Sequence, residues 1–182
     1  MLIGLTGTPG TGKTSVSNLL ERKRNWEVIH LNDLIKEEHL YTEVDEERDA
    51  VIADMELVKQ YLEEIIGGRE NEVIIIESHL AHYIADTVII LRVYPPELKM
   101  RLKVRGYSEE KIRENVEAEA LDVILVEAFE WCKKVFEINT TGKTIEETRQ
   151  NIEKIIDHIS SGNEEELLEY KPGSIDWIDL VP

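Results

Sequence analysis

Cysteine is nearly absent: Cys132 is the only one in 182 residues. One thiol excludes an internal disulfide and any cysteine cluster for zinc. Long apolar runs are missing as well. No stretch approaches the roughly eighteen residues that read as a membrane-spanning helix, so no membrane partner is expected. Basic residues are scarce, 21 Lys and Arg against 38 Asp and Glu, for a formal charge of −17. Such a surface repels phosphate backbones and argues against independent, non-specific nucleic-acid binding. It leaves room for local basic pockets and for a basic protein partner. No internal repeat or low-complexity linker interrupts the chain. With a strand starting at Met1 no signal peptide is expected, and the cytoplasm is the expected location. Apolar residues at 42 % and charged residues at 32 % have the balance of a soluble globular protein. The length suffices for one sizeable core with a small inserted lobe.

The most informative stretch comes first. Residues 1–6 are mostly apolar and predict a strand. They run into Gly7-Thr8-Pro9-Gly10-Thr11-Gly12-Lys13-Thr14. A glycine at each end of four residues, followed by Lys-Thr, is the phosphate-loop pattern. Its glycines let backbone N–H groups approach a polyphosphate. The helix expected from Lys13 aims its N-terminus at the same charge. Lys13 is placed to reach the β- and γ-phosphates of ATP, and the Thr14 hydroxyl to hold Mg²⁺.

Strand and helix patterns then alternate. A helix is expected over 13–24, buried through Val16, Leu19 and Leu20, and a strand over 26–31. Asn32 or Asp33 reads as the cap of the next helix. The charged segment 36–54 is expected to be partly helical, with Leu40, Tyr41 and Val44 as its apolar anchors. Residues 55–66 form an amphipathic helix stopped by Gly67-Gly68. Residues 73–76 and 87–93 read as buried strands, the second ended by Pro95-Pro96. Helices are expected over 97–105, 109–131 and 144–159, and a last strand over 134–138. The apolar tail 175–181 is expected to fold back on the core. The pattern is that of an α/β protein, a three-layer sandwich around a central parallel sheet.

Ligands in such folds bind beyond the carboxyl ends of the strands. Glu77 and His79 follow the 73–76 run and alternate with Ser78. Glu77 is a candidate to hold or orient Mg²⁺, and His79 to position a water or relay a proton. The pair His79 and His82 lacks an adjacent third metal ligand. Arg101 and Arg105 lie four apart on one helical face, and Gly106 reads as a hinge. Together they suit a lid that closes on transferring phosphates, or else they offset Glu97 and Glu109. Arg92 is a candidate phosphate or pocket residue. Asp33 is a cap or a substrate contact, and Lys36 a contact for the phosphate of a second nucleotide. Residues 139–142 either frame the adenine or cap the following helix. Trp131 and Cys132 read as packing residues.

In these segments the chain resembles the adenylate kinase isoenzyme 6 family, the nuclear or archaeal adenylate kinases also known as ribosome-maturation ATPases. The likeness runs from residue 2 to about 160. It rests on the loop from Gly7 to Thr14, Asn32-Asp33-Leu34, Asp45-Glu46-Glu47-Arg48-Asp49, and the run from Val88 to Arg92. Arg101-Leu102, Arg105-Gly106-Tyr107 and Glu114-Asn115-Val116-Glu117-Ala118-Glu119 complete it. The resemblance implies a single P-loop domain of the nucleoside-monophosphate-kinase type over residues 1–182. Within it, the monophosphate lobe falls near 30–53 and a short lid near 104–114. It implies reversible, Mg²⁺-dependent transfer from ATP to AMP, ATP hydrolysis as well, and a role in small-subunit ribosomal RNA maturation through ribosomal protein uS11. Gly10, Gly12, Lys13, Thr14 and Ser15 match the family's ATP-binding positions, with Thr11 inside the same loop, and Arg105 matches its lid arginine. Glu77 stands where many relatives carry aspartate, and Lys36 where they often carry arginine. Three rivals stay open beside the kinase: a switch-like ATPase, a nucleotide-regulated binding module, and a kinase for another small acceptor.

Overall fold

In the computed structural model the strands alternate their side chains between two cores. The structure describes residues 1–24, 26–45, 50–69 and 72–180. Five strands, β1 (Leu2–Thr6), β2 (Glu27–His30), β5 (Ile74–Glu77), β6 (Thr87–Arg92) and β7 (Lys134–Asn139), form one sheet in the order β2-β5-β1-β6-β7. Every pairing in it is parallel. Ile75, Ile89 and Leu91 face one core, shared with Val16 and Leu20 of α1 (Lys13–Arg24) and Ile152, Ile155 and Ile156 of α7 (Ile145–Ser161). Ile74 and Ile76 face the other, against α2 (Leu31–Glu37) and α3 (Met55–Ile66). Val88 and Ile90 meet Leu125 and Ala128 of α6 (Val123–Trp131) on that same side. The period of two explains why these strands are apolar along their whole length: both faces are covered. The result is the expected three-layer α/β sandwich, with β1 at its centre and the phosphate loop at the carboxyl end of that strand. Among the described residues no helix is long and apolar enough to cross a membrane.

Several local expectations change. Among its described residues, segment 36–54 is not helical beyond α2. Its described residues pair as an antiparallel hairpin, β3 (Tyr41–Asp45) with β4 (Ala50–Ala53). Val44, Val51 and Ile52 are β-branched, which suits a pleated ladder better than a helix. Residues 46–49 of the acidic motif lie outside the described residues, as does Val181 of the tail. Neither Asn32 nor Asp33 caps α2. That helix starts at Leu31, directly after β2, with His30 at the cap position and no side-chain cap bond. The expected helix over 109–131 is two helices, α5 (Glu109–Ala120) and α6, broken at Asp122 in the left-handed region with φ of 56°. Pro95-Pro96 do follow β6, and they also open α4 (Pro95–Val104), where their missing N–H groups leave nothing unpaired. Thr144 closes a capping box with Glu147 at the start of α7. The tail folds back: Trp177 packs over the Arg92 guanidinium at 5.0 Å and edge-on to Tyr94.

Candidate active site

The phosphate loop is wedged against β6. Gly7 has φ of +138°, and a Cβ there would lie 2.4 Å from the Leu91 carbonyl oxygen, so only glycine fits. The Thr8 carbonyl accepts from Thr11 N at 3.2 Å and Thr11 Oγ1 at 2.9 Å, which curls the loop on itself. Lys13 Nζ donates to the Gly7 carbonyl at 2.6 Å and to that of Thr8 at 3.3 Å. Burial pushes the Lys13 ammonium down to about 8, against the raising influence of Glu77 and Glu119 and with a further lowering from Arg105.

Thr14, in the first turn of α1, donates through Oγ1 to Glu77 Oε1 at 3.2 Å. The other Glu77 oxygen lies 2.8 Å from Nδ1 of His30, its register partner at the end of β2. Ser78 turns the opposite way and donates to Asn32 Oδ1 at 2.9 Å. His79 sits at the mouth of the cleft. The side chain is exposed there, yet partial desolvation, then the charges of Lys13 and His82, lower its imidazole below the ordinary value.

Two clefts flank the loop. One, of about 450 Å³, is bounded by Gly10, Thr11, Gly12 and Ser15 and by Arg101, Thr140, Lys143 and Thr148, with Val16, Met100, Val104 and Ile145 as apolar walls. The other, of about 440 Å³, is bounded by Lys13, Thr14, Asn32, Lys36, Glu77 and His79, together with Tyr107 and Lys111. Gly10, Gly12 and Arg105 border both. Arg101 reaches from α4 to the Gly10 carbonyl at 3.3 Å while pairing with Glu97 at 2.5 Å. Arg105 ends α4 and is exposed, just before Gly106.

Residues 3–122 match the family described as an AAA domain. A protein named "Putative adenylate kinase" from Methanosarcina barkeri (strain Fusaro) is 90 % identical over 182 residues, 100 % of each chain. One of the same name from Archaeoglobus fulgidus is 43 % identical over 179 residues, covering 98 % of this chain and 92 % of its own. This chain belongs to that family. A solved shikimate kinase from Bacteroides thetaiotaomicron superposes with a TM-score of 0.56 at 23 % identity, covering 86 % of this chain and 98 % of that one. That likeness concerns the fold, which is P-loop kinase-like.

Relative to the family-like loop, most of the candidate side chains converge. Gly10, Thr11, Gly12, Lys13, Thr14, Ser15, Lys36, Glu77, His79, Arg101 and Arg105 all border one or both clefts. Two candidates do not. Asp33 is exposed in the first turn of α2 and borders neither cleft. Arg92 is buried behind the loop and reaches no ligand space. Its Nε donates to Glu119 at 2.8 Å, and Nη1 and Nη2 donate to Glu137 and Asp122. Burial works against its charge, but the three carboxylates prevail and hold the guanidinium above its ordinary range. A strand-end arginine in a sequence looks the same whether it faces a phosphate or three carboxylates contributed by α5, β7 and the turn at Asp122.

His30, Thr8 and Glu119 were missed as site residues. His30 was legible in principle as the last residue of a strand in a parallel sheet. Its approach to Glu77 depends on β2 pairing with β5, which the chain order does not state. The Thr8 contact with Glu119 spans 111 residues and left no local signal.

Proposed function

We propose that this kinase-family protein transfers the γ-phosphoryl group of ATP reversibly to AMP, giving two ADP. The observation that carries the reading is Arg105, which borders both clefts where they meet at the phosphate loop. The cleft with apolar walls suits the donor nucleoside, beside Thr140 and Lys143. The cleft with Lys36, Tyr107 and Lys111 suits the acceptor monophosphate. On this reading residues 30–53, with the β3–β4 hairpin, are the monophosphate lobe, and 104–114 are the lid of a single domain.

The chemistry is an in-line displacement. An AMP phosphate oxygen attacks the γ-phosphorus, its bond to the β–γ bridging oxygen breaks, and the bridging oxygen leaves on ADP. Little covalent work is asked of the protein beyond positioning and charge stabilisation. Lys13 and the loop N–H groups hold the donor phosphates. Arg105 lies between donor and acceptor, where charge spreads over the transferring group, and Arg101 fixes the loop beneath it. The oxygen donors Thr14 Oγ1 and Glu77 Oε1 are of the hard type that Mg²⁺ prefers. When bound with ATP, that cation would supply charge neutralisation to the phosphate oxygens. Among the described residues no three His, Cys, Asp or Glu side chains converge as a metal cluster, in keeping with a cation that arrives on the nucleotide.

The test is direct. Purified protein is incubated with ATP and Mg²⁺, with and without AMP, and ADP and free phosphate are both quantified. AMP-dependent ADP without matching phosphate is the expected result. Phosphate release indifferent to AMP would sink the transferase and leave an ATPase. His79 favours hydrolysis as a companion activity: its imidazole at the cleft mouth, held below the ordinary value, is suited to orient a water or relay its proton. His79→Ala should then lower hydrolysis and spare transfer. The family resemblance extends hydrolysis to small-subunit ribosomal RNA maturation with ribosomal protein uS11, and the −17 charge suits a basic partner. Pull-down of that ribosomal protein with and without ATP tests the extension.

A further inference from the structure

We propose that Glu119 is a positioning residue for the phosphate loop, acting through the Thr8 hydroxyl. The inference rests on the loop's binding ATP. Glu119 is the only acidic side chain of α5 that is buried, at 2 % exposure. A carboxylate in that place is costly unless its oxygens are fully engaged. One oxygen, Oε1, accepts from Arg92 Nε at 2.8 Å and from the Val93 N–H at 3.0 Å, which anchors it to the end of β6. The Arg92 Nη2 donates to the Glu119 carbonyl at 2.9 Å, so backbone and side chain are both held. The second oxygen, Oε2, accepts the hydroxyl of Thr8, itself buried at 3 % exposure.

Core packing explains the first oxygen; it does not explain why the second is aimed at the loop. Thr8 is the residue whose carbonyl accepts from Thr11 N, Thr11 Oγ1 and Lys13 Nζ. Pinning its side chain from behind sets the direction in which that peptide faces. The orientation of Lys13 and the curl of the loop follow from it. The link also joins the phosphate loop to the helix that runs on from the proposed lid. Glu119 lies on α5, the helix that follows Arg105 and Gly106, and its distal end is thereby fastened to the donor site. The role gives physical content to the last glutamate of the Glu114-Asn115-Val116-Glu117-Ala118-Glu119 segment.

The experiment compares wild type, Thr8→Val, Thr8→Ser, Glu119→Gln and the Thr8→Val/Glu119→Gln double variant. MgATP affinity is read by calorimetry, the KM for ATP and for AMP by steady-state kinetics, and folding by thermal melts. Valine keeps the shape of threonine and deletes the donor; serine restores it. Thr8→Val is expected to raise the Kd and KM for ATP about tenfold, the scale of one lost charge-assisted hydrogen bond. Its KM for AMP should stay within about twofold, and Thr8→Ser should track wild type. The double variant should lose no more than the worse single variant, because the Glu119→Gln amide can still donate to the Thr8 hydroxyl and so only weakens the link that Thr8→Val removes. Thr8→Val with wild-type ATP affinity, or losses that add in the double variant, would overturn the proposal. If Glu119→Gln fails to fold, the valine–serine pair decides alone. A wild type that binds no MgATP defeats the functional reading beneath; a wild type that binds it beside an equally competent Thr8→Val defeats only this inference.

Discussion

Thr14 and Glu77 are joined by a 3.2 Å hydrogen bond that links the first turn of α1 to the carboxyl end of β5. The second Glu77 oxygen is held by His30 at 2.8 Å, so the carboxylate has one orientation rather than two. If it serves a cation carried by ATP, Glu77→Gln should raise the Mg²⁺ concentration needed for half-maximal activity and lower the maximal rate. His30→Ala acts one step removed, and partners of that kind typically cost about 10–100-fold. Magnesium titrations of the steady-state rate check both. A Glu77→Gln enzyme with an unaltered Mg²⁺ requirement would exclude Glu77 from that role.

Arg101 and Arg105 sit on the same helix but should fail differently. Arg101 holds the Gly10 carbonyl and pairs with Glu97, whereas Arg105 is an exposed helix end between two clefts. Arg105→Ala should lower kcat by about 10²–10³, the usual loss for one donor aimed at developing charge. Its melting temperature should not change. Arg101→Ala should act mainly on the KM for ATP by loosening the loop. Its stability cost should be under about 1 kcal/mol, as for a half-exposed i,i+4 pair. Kinetics beside thermal melts separate the two, and equal kcat losses with unchanged KM would contradict the division.

The sequence made the layers legible because β-branched runs and a phosphate-loop pattern are local signals. Ile74, Ile75 and Ile76 announce a covered strand, and Gly7 to Thr14 announces the turn that follows β1. The hairpin at 41–53 was obscured because charged residues are as compatible with an exposed helix as with an exposed ladder. The break at Asp122 was hidden for another reason. Its left-handed backbone accompanies a bond to Arg92, thirty residues away, and no feature of 109–131 encodes that partner. The same distance explains Arg92 itself. Residue type located a cation at a strand end, while its surroundings came from segments whose placement only the fold supplies.

Cys132 should be chemically quiet. Burial, then the negative charge of Asp86, pushes its thiol up to about 11, and Sγ donates to the His82 carbonyl at 3.3 Å. The thiolate is the reactive species, so at pH 7.5 only a very small fraction is available in the folded protein. Iodoacetamide should modify the native protein far more slowly than the urea-unfolded chain, and the native rate should climb steadily between pH 8 and 10. Equal rates in the two states would refute the shielding.

Arg92→Met should be the most damaging single change among these residues, through stability rather than through ligand contact. It leaves Glu119 and Glu137 buried without their cation, and Asp122 loses the same partner. Removing one member of such a group costs about 3–5 kcal/mol. Glu137 shows the strain already: burial raises its carboxyl above the ordinary value even with Arg92 beside it, opposed by that guanidinium and by the Gly173 N–H. Glu137→Gln should therefore be milder, since it removes a charge that the core disfavours. The pH dependence follows from the sign. With Arg92 gone, the Glu137 carboxyl, already raised by burial, loses the main influence opposing that rise, and its folded pKa stands above the unfolded value near 4.3. The penalty is then complete above the folded pKa and is relieved as pH falls toward the unfolded value. Urea midpoints for wild type and Arg92→Met should diverge most at pH 8 and approach each other toward pH 5. A deficit that stayed constant over that range would mean that lost packing against Trp177, and not uncompensated charge, sets the cost.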